Sequence, residues 1–178
     1  MRFEKISYEQ WKKDWDKHCA KMASDDPDVA CKAAYEQIVI PKRSTKGSAG
    51  YDFVIPYAFI AHQNDTCTGR PFNSILLTGI RWVDAPDDNA LFLFARSGIA
   101  NKYNISLANS VGVIDSDYCN ADNEGHIMFS IVNDPRYATA AFTAGTRIGQ
   151  GVIMKYLTVD EDNASDERTG GFGSTGIN

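Results

Sequence analysis

From Gln37 onward the chain is a succession of short β-rich runs separated by turn residues, and this alternation limits the fold more than any other feature. Ile38-Val-Ile40, Ile75-Leu-Leu77, Ile80-Arg-Trp-Val83, Ala90-Leu-Phe-Leu-Phe94, Ile127-Met-Phe-Ser-Ile-Val132 and Gly151-Val-Ile-Met-Lys-Tyr-Leu-Thr-Val159 are the clearest strands. Ala85-Pro-Asp-Asp-Asn89, Asn133-Asp-Pro135 and Thr143-Ala-Gly145 punctuate them. Short strands at regular spacing, with no long helices between, predict an all-β sandwich or barrel. A chain of 178 residues suits one such domain with an appendage.

The appendage precedes the strands. Over residues 7–22, Tyr8, Trp11, Trp15, Cys19 and Met22 recur at spacings of three and four, which predicts an amphipathic helix. Lys12, Lys13, Asp16 and Lys17 take the opposite face, and Ser7 with Gln10 has the form of a capping box. The apolar stripe is expected to pack on the domain or on a neighbouring subunit. Asp26 as N-cap and Pro27 in the first turn predict a second short helix reaching about Tyr35. The expected organisation is a helical appendage over 1–36, a β-domain over 37–160 and a flexible arm over 161–178, whose last dozen residues are glycine-rich and polar.

No apolar run approaches the ~20 residues of a membrane span, and the first residues lack a signal peptide's apolar core. A soluble cytoplasmic protein is expected. The net charge of −5 argues against a general nucleic-acid binder, yet local arginines and glycine amides can hold a small anion. Cys19, Cys31, Cys67 and Cys119 form no Cys-x-x-Cys pair, and His18, His62 and His126 stand at no metal-ligand spacing. Free thiols in a reducing compartment are expected.

Several segments carry chemistry. Asn109-Ser-Val-Gly-Val-Ile-Asp-Ser-Asp-Tyr118 runs from apolar Val111, Val113 and Ile114 into Asp115, so a carboxylate ends a stiff β-branched run. Arg168-Thr-Gly-Gly-Phe-Gly-Ser-Thr-Gly176 combines amides that approach an anion, an arginine fork for phosphate and an aromatic face for a base. Arg96-Ser-Gly98 after a strand and Gly145-Thr-Arg-Ile-Gly-Gln150 opening one add further phosphate-sized donor sets. Arg147 is equally suited to a structural carboxylate pair. Ser48-Ala-Gly-Tyr-Asp52 places a second carboxylate among them. Carboxylates beside phosphates repel them, unless a divalent cation or a general base acting on water is involved. The segments are expected to converge around 109–118.

In this order the five segments resemble the five motifs of the trimeric dUTP pyrophosphatase (dUTPase) family, over roughly residues 38–176. The resemblance implies an all-β jelly roll (the dUTPase β-clip), a homotrimer with active sites at subunit interfaces, and hydrolysis of dUTP to dUMP and pyrophosphate. Asp115 is implied as general base, assisted by Asp52. Tyr118 packs on deoxyribose, while Asn109 and the hairpin backbone at Gly112 and Ile114 read uracil. Arg96, Ser97, Gly98 and Gln150 hold phosphate oxygens. Arg168, Gly171, Gly173, Ser174 and Thr175 hold the γ-phosphate side, with Phe172 stacked over the base, in an arm that closes a site built by two other subunits. Mg2+ is the implied cofactor, chelated by the triphosphate and reached through water by Asp52, with no direct protein ligand.

The sequence departs from that pattern in places. Tyr118 is followed by Cys119-Asn-Ala-Asp-Asn-Glu124 where the family usually has Arg-Gly-Glu, an insertion like that of a bacterial and phage branch. Asn104 stands where glycine is usual, and asparagine tolerates positive φ. The related dCTP deaminase usually lacks a Gly-Gly-Phe-Gly arm. A regulatory protein partner is a further reading compatible with residues 119–124 and the N-terminal helices.

Overall fold

A computed structural model describes residues 1–19, 26–62, 74–133, 138–166 and 168–171. Two antiparallel sheets carry most strands. One has the order β1 (Arg2–Lys5), β5 (Ser74–Val83), β9 (Ile127–Asn133) and β7 (Ile105–Leu107). The other has the order β2 (Lys42–Arg43), β3 (Tyr51–Ile55), β11 (Thr146–Lys155), β6 (Asn89–Ala95) and β8 (Gly112–Ile114). A ribbon of β10 (Ala140–Phe142) and β4 (Phe59–Ala61) completes the β-structure.

Alternation decides which side chains meet. Phe53 of β3 and Phe129 of β9 face each other between the sheets, ring centroids 5.5 Å apart. Gly149 of β11 makes room there, since a Cβ would lie 2.2 Å from the Phe129 ring. Leu77, Ile80, Leu91, Ile127 and Ile131 fill the same core. The chain passes from β6 to β7 to β8, changing sheet at each step, so its mid-section lies where the two layers come together.

The strand expectations need correction in four places. Ile38-Val-Ile40 is not a strand: Ile38 instead packs over Gly79, whose Cβ would lie 2.2 Å from Ile38 Cδ1. Gly79 has φ +71°, and the runs on either side of it join through a bulge into the single strand β5. β11 begins at Thr146 and ends at Lys155, earlier at both ends than the apolar run. Finally, β1 forms within the segment expected to be helical, pairing Phe3 with Trp82 on β5. Its charged Arg2, Glu4 and Lys5 suit a sheet edge. Asn133-Asp-Pro135 lies largely outside the described residues.

The helices form as their caps predict. Ser7 Oγ accepts the Gln10 N–H at the start of α1 (Tyr8–His18). The capping box is only half formed, because Gln10 turns its amide to Asp14 and Glu124 takes the Ser7 N–H instead. Asp26 accepts from the Asp28 and Val29 N–H groups and opens α2 (Pro27–Glu36). The apolar stripe packs on the chain's own domain: Trp11 and Trp15 are buried, and Trp15 meets Tyr57 edge-on with centroids 5.1 Å apart. Tyr8 stays partly exposed, and Met22 lies outside the described residues. Cys19, Cys31 and Cys119 are free thiols, and burial pushes Cys19 up to about 11. Cys67 lies outside the described residues. No helix among the described residues is long and apolar enough to cross a membrane.

Candidate active site

The 109–118 stretch begins in the crossing from β7 to β8. Ser110 adopts φ +62°, and its N–H bonds to Leu107 O at 3.1 Å, which turns the chain tightly. β7 pairs with β9 whereas β8 pairs with β6, so the expected hairpin is not a ladder. Its two arms enter different sheets and a cleft lies beside them. In β8, Gly112 and Ile114 point inward and Val113 outward. Gly112 lies against Leu93, and its Cβ position is 3.1 Å from Leu93 Cβ. Asp115 follows directly, at the mouth.

The cleft encloses about 360 Å³. Asn109, Gly112, Ile114, Asp115 and Tyr118 line one wall. Met128, Phe129 and Ser130 of β9 line another, and Arg168 and Gly171 close over it. Arg168 Nε donates to Asp117 Oδ1 at 2.8 Å, and its Nη2 pairs with Asp115. The same guanidinium lies 5.7 Å from the centroid of the Tyr118 ring. Residues 168–171 thus rest on their own chain's cleft.

Tyr118 is buried, and a hydrogen bond holds its hydroxyl: Asn123 Nδ2 donates to it at 3.2 Å. Burial raises its pKa further above 10, so the phenol stays neutral at physiological pH. Behind it lies buried His126. His126 Nε2 accepts the Gly79 N–H at 2.9 Å, which places the ring proton on Nδ1, facing Asp14 Oδ2 at 2.7 Å. Burial pushes the His126 pKa down against the pull of Asp14. Burial raises the Asp14 carboxyl, but hydrogen bonds from His126 and Gln10 overcome it and leave the pKa lowered.

The remaining expected residues form a second group. Asp52 on β3 accepts from Ser44 at 2.8 Å and from Arg147 at 3.2 Å, and lies 3.4 Å from Arg96 Nε. Its side chain is 11% exposed, so these partners enclose it. Gln150 stands opposite Asp52 and Phe94 in the ladder. Gly50 lies close beside it, where a Cβ would come 2.4 Å from Gln150 Oε1 and displace that side chain. Ser97 starts α3 (Ser97–Tyr103), with open space around Gly98. Asn104 closes that helix at φ +52°, as its substitution for glycine suggested.

Asp52, Arg96, Ser97, Gly98 and Gln150 do not line the cleft. Within one chain the segments therefore form two groups rather than converging on 109–118. Phe172, Gly173, Ser174 and Thr175 lie outside the described residues. Met128, Phe129 and Ser130 were not anticipated, although Ser130 is the one hydroxyl within the apolar run of β9. Among the described residues no three or more His, Cys, Asp or Glu side chains gather to hold a metal.

The model of the dUTPase family matches residues 36–176, which include both groups and the arm. The chain belongs to the dUTPase family. Deoxyuridine 5'-triphosphate nucleotidohydrolase of Lactococcus lactis subsp. lactis is 40% identical over 154 residues, 84% of this chain and 95% of the relative. A crystal structure of dUTPase from Streptococcus mutans superposes with a TM-score of 0.63 at 30% identity, covering 90% of this chain and 99% of that one. A dUTPase from phage phi11 of Staphylococcus aureus, in which a structural Mg(II) ion is coordinated, shares the fold with a TM-score of 0.57 at 19% identity, covering 75% of this chain and 94% of that one. The mostly-β architecture described above is thus a dUTPase jelly roll.

Proposed function

We propose that this chain hydrolyses dUTP to dUMP and pyrophosphate, with Asp115 as the general base. The observation that carries the reading is the placement of Asp115 and Tyr118 on one wall of a nucleoside-sized cleft, beneath an arginine. Asp115 removes a proton from the water that attacks the α-phosphorus, in line with the leaving pyrophosphate. The buried Tyr118 ring packs on deoxyribose and leaves no space for a ribose 2′-hydroxyl. Asn109 and the backbone at Gly112 and Ile114 read the uracil edge.

Arg96, Ser97, Gly98 and Gln150 take phosphate oxygens, and Asp52 braces Arg96 for that role. Arg168 moves from its carboxylates to the γ-phosphate side, joined by Gly171, Gly173, Ser174 and Thr175, while Phe172 covers the base. Mg2+ would be carried by the triphosphate and reached through water by Asp52, since no cluster of three or more metal-ligating side chains gathers among the described residues, and it would offset charge on the departing pyrophosphate.

A homotrimer is part of the proposal. Two residue groups that do not meet in one chain support a site shared between subunits. The division into 1–36, 37–160 and 161–178 is proposed as well, with the first segment contributing β1 and helices that pack into the core of the β-domain. In the cytoplasm the product dUMP would supply thymidylate synthesis, and the turnover would keep uracil out of DNA. The test is incubation with dUTP, dCTP, dTTP and UTP in the presence of Mg2+. Pyrophosphate from dUTP alone is expected, and release from UTP or dTTP at a similar rate overturns the assigned selectivity.

A further inference from the structure

Residues 119–124 separate Tyr118 from the turn into β9, and the proposed reaction gives them no step. One of their side chains nevertheless reaches back to the tyrosine. Tyr118 lines the cleft, but the two groups that hold its hydroxyl do not. Asn123 Nδ2 donates to that oxygen at 3.2 Å, and the hydroxyl donates in turn to the His126 carbonyl at 3.4 Å. A third bond sets the direction of the other two. The Gly125 N–H can only donate, and its acceptor at 3.2 Å is Asn123 Oδ1. Nδ2 is therefore the end that faces the phenol, which leaves the phenol's own proton for His126 O.

Both holders are themselves fixed. Asn123 O accepts the His126 N–H at 3.0 Å, so the two are tied to each other. The buried His126 ring is gripped on both nitrogens, by the Gly79 N–H and by Asp14. Tyr118 O accepts the Ala121 N–H at 3.1 Å. Gly125, at φ +70°, comes so close that a Cβ would lie 2.7 Å from that same carbonyl oxygen and 2.6 Å from Cys119 Cα. The loop thus folds back over the tyrosine it follows, and it closes only with glycine.

We infer that Asn123 is a positioning residue for sugar selection: together with the His126 carbonyl it anchors the Tyr118 hydroxyl from behind the cleft, and so keeps the ring where a ribose 2′-hydroxyl would have to go. A buried hydroxyl that leaves its partners loses their bonds without gaining water, so the tip of the ring stays with them. A ring pinned at its tip cannot withdraw to admit a larger sugar. The role in selection rests on the dUTPase reading; the anchoring of the hydroxyl does not.

Steady-state kinetics with dUTP and UTP, and NMR of isotope-labelled tyrosine, test the two parts on the full-length chain. The wild type sets the ratio of kcat/KM for dUTP over UTP. Asn123→Ala and Tyr118→Phe should each lower that ratio about threefold to tenfold, the worth of one hydrogen bond, chiefly because UTP improves. In the Tyr118→Phe background, Asn123→Ala should change nothing further, because the hydroxyl it holds is already gone. An unchanged ratio in Asn123→Ala overturns the proposal. So does an additive double variant, since Asn123 would then act through the loop rather than through the hydroxyl. Should Asn123→Ala fail to fold, Tyr118→Phe removes the same bond from its other end, and an unchanged ratio there overturns the proposal as well. In labelled protein the Tyr118 Cζ signal, identified by its loss from Tyr118→Phe, should move in Asn123→Ala; a signal that stays in place overturns the anchor. Wild-type protein that releases pyrophosphate from neither nucleotide defeats the dUTPase reading, and the tyrosine signal still decides the anchor.

Discussion

Asp115 sits at the end of a short strand whose neighbours fix its backbone, and its carboxylate is half-exposed at the cleft mouth. Asparagine there keeps the size but accepts no proton. Asp115→Asn should lower the turnover of dUTP about 10²–10⁴-fold, while a non-hydrolysable dUTP analogue binds nearly as before. Pyrophosphate release and equilibrium binding, measured on one preparation, check it; near-wild-type turnover would remove Asp115 as base. Gly79 makes a different demand, since its φ of +71° and its contact with Ile38 both exclude a side chain. Gly79→Ala should cost about 1–3 kcal/mol of stability, read from denaturant unfolding. Asp115 stands out in the sequence because a carboxylate ends an apolar run, whereas Tyr118 takes its expected role only from the family resemblance. Asp117 was not legible there, because its partner Arg168 lies far along the chain and only folding brings the two together.

At the scale of elements, α1 is a part of the core rather than a decoration on it. Trp11 is fully buried, and its indole N–H donates to Cys31 O at 3.1 Å. Trp11→Ala should destabilise the fold by about 3–5 kcal/mol in denaturant titrations. The join between α1 and β9 also titrates. His126 has a pKa depressed from its ordinary 6.5, so the folded chain prefers the neutral ring. Its contribution is complete above about pH 6.5 and is lost as pH falls through the lower folded-state value. Asp14, also depressed, adds the same sign in stronger acid. The melting temperature should therefore fall from pH 7 toward pH 5, and His126→Gln should flatten that slope. The caps at Ser7 and Asp26 and the long strands β5, β6, β9 and β11 could be read from the sequence, because local hydrogen bonds and apolar runs decide them. β1 could not, since a short edge strand of mainly charged residues exists only through its pairing with β5. Nor could the loss of Ile38–Ile40 as a strand, which follows from the packing of Ile38 over a glycine on another strand.

At the scale of the whole molecule, the five segments were readable individually but their grouping was not. Asp52 draws Arg96 and Arg147 to one place, and the cleft draws Asp115, Tyr118 and Arg168 to another. Charge pairing across the ladder creates the first group and the crossing between sheets creates the second. The proposed trimer would join the two across subunits, which makes complementation the sharpest check. Asp115→Asn and Ser97→Ala proteins, each impaired alone, should regain activity when unfolded, mixed and refolded together. Random assembly leaves about a quarter of sites with both halves intact. No recovery would mean that each chain completes its own site. A site divided in this way would also exist only while the chains stay together. Diluting the enzyme should extinguish specific activity while the circular dichroism of each β-domain is still native, because dissociation takes apart the site before it unfolds anything. Scarcity itself then acts as an off switch, set by subunit affinity rather than by any group in the cleft.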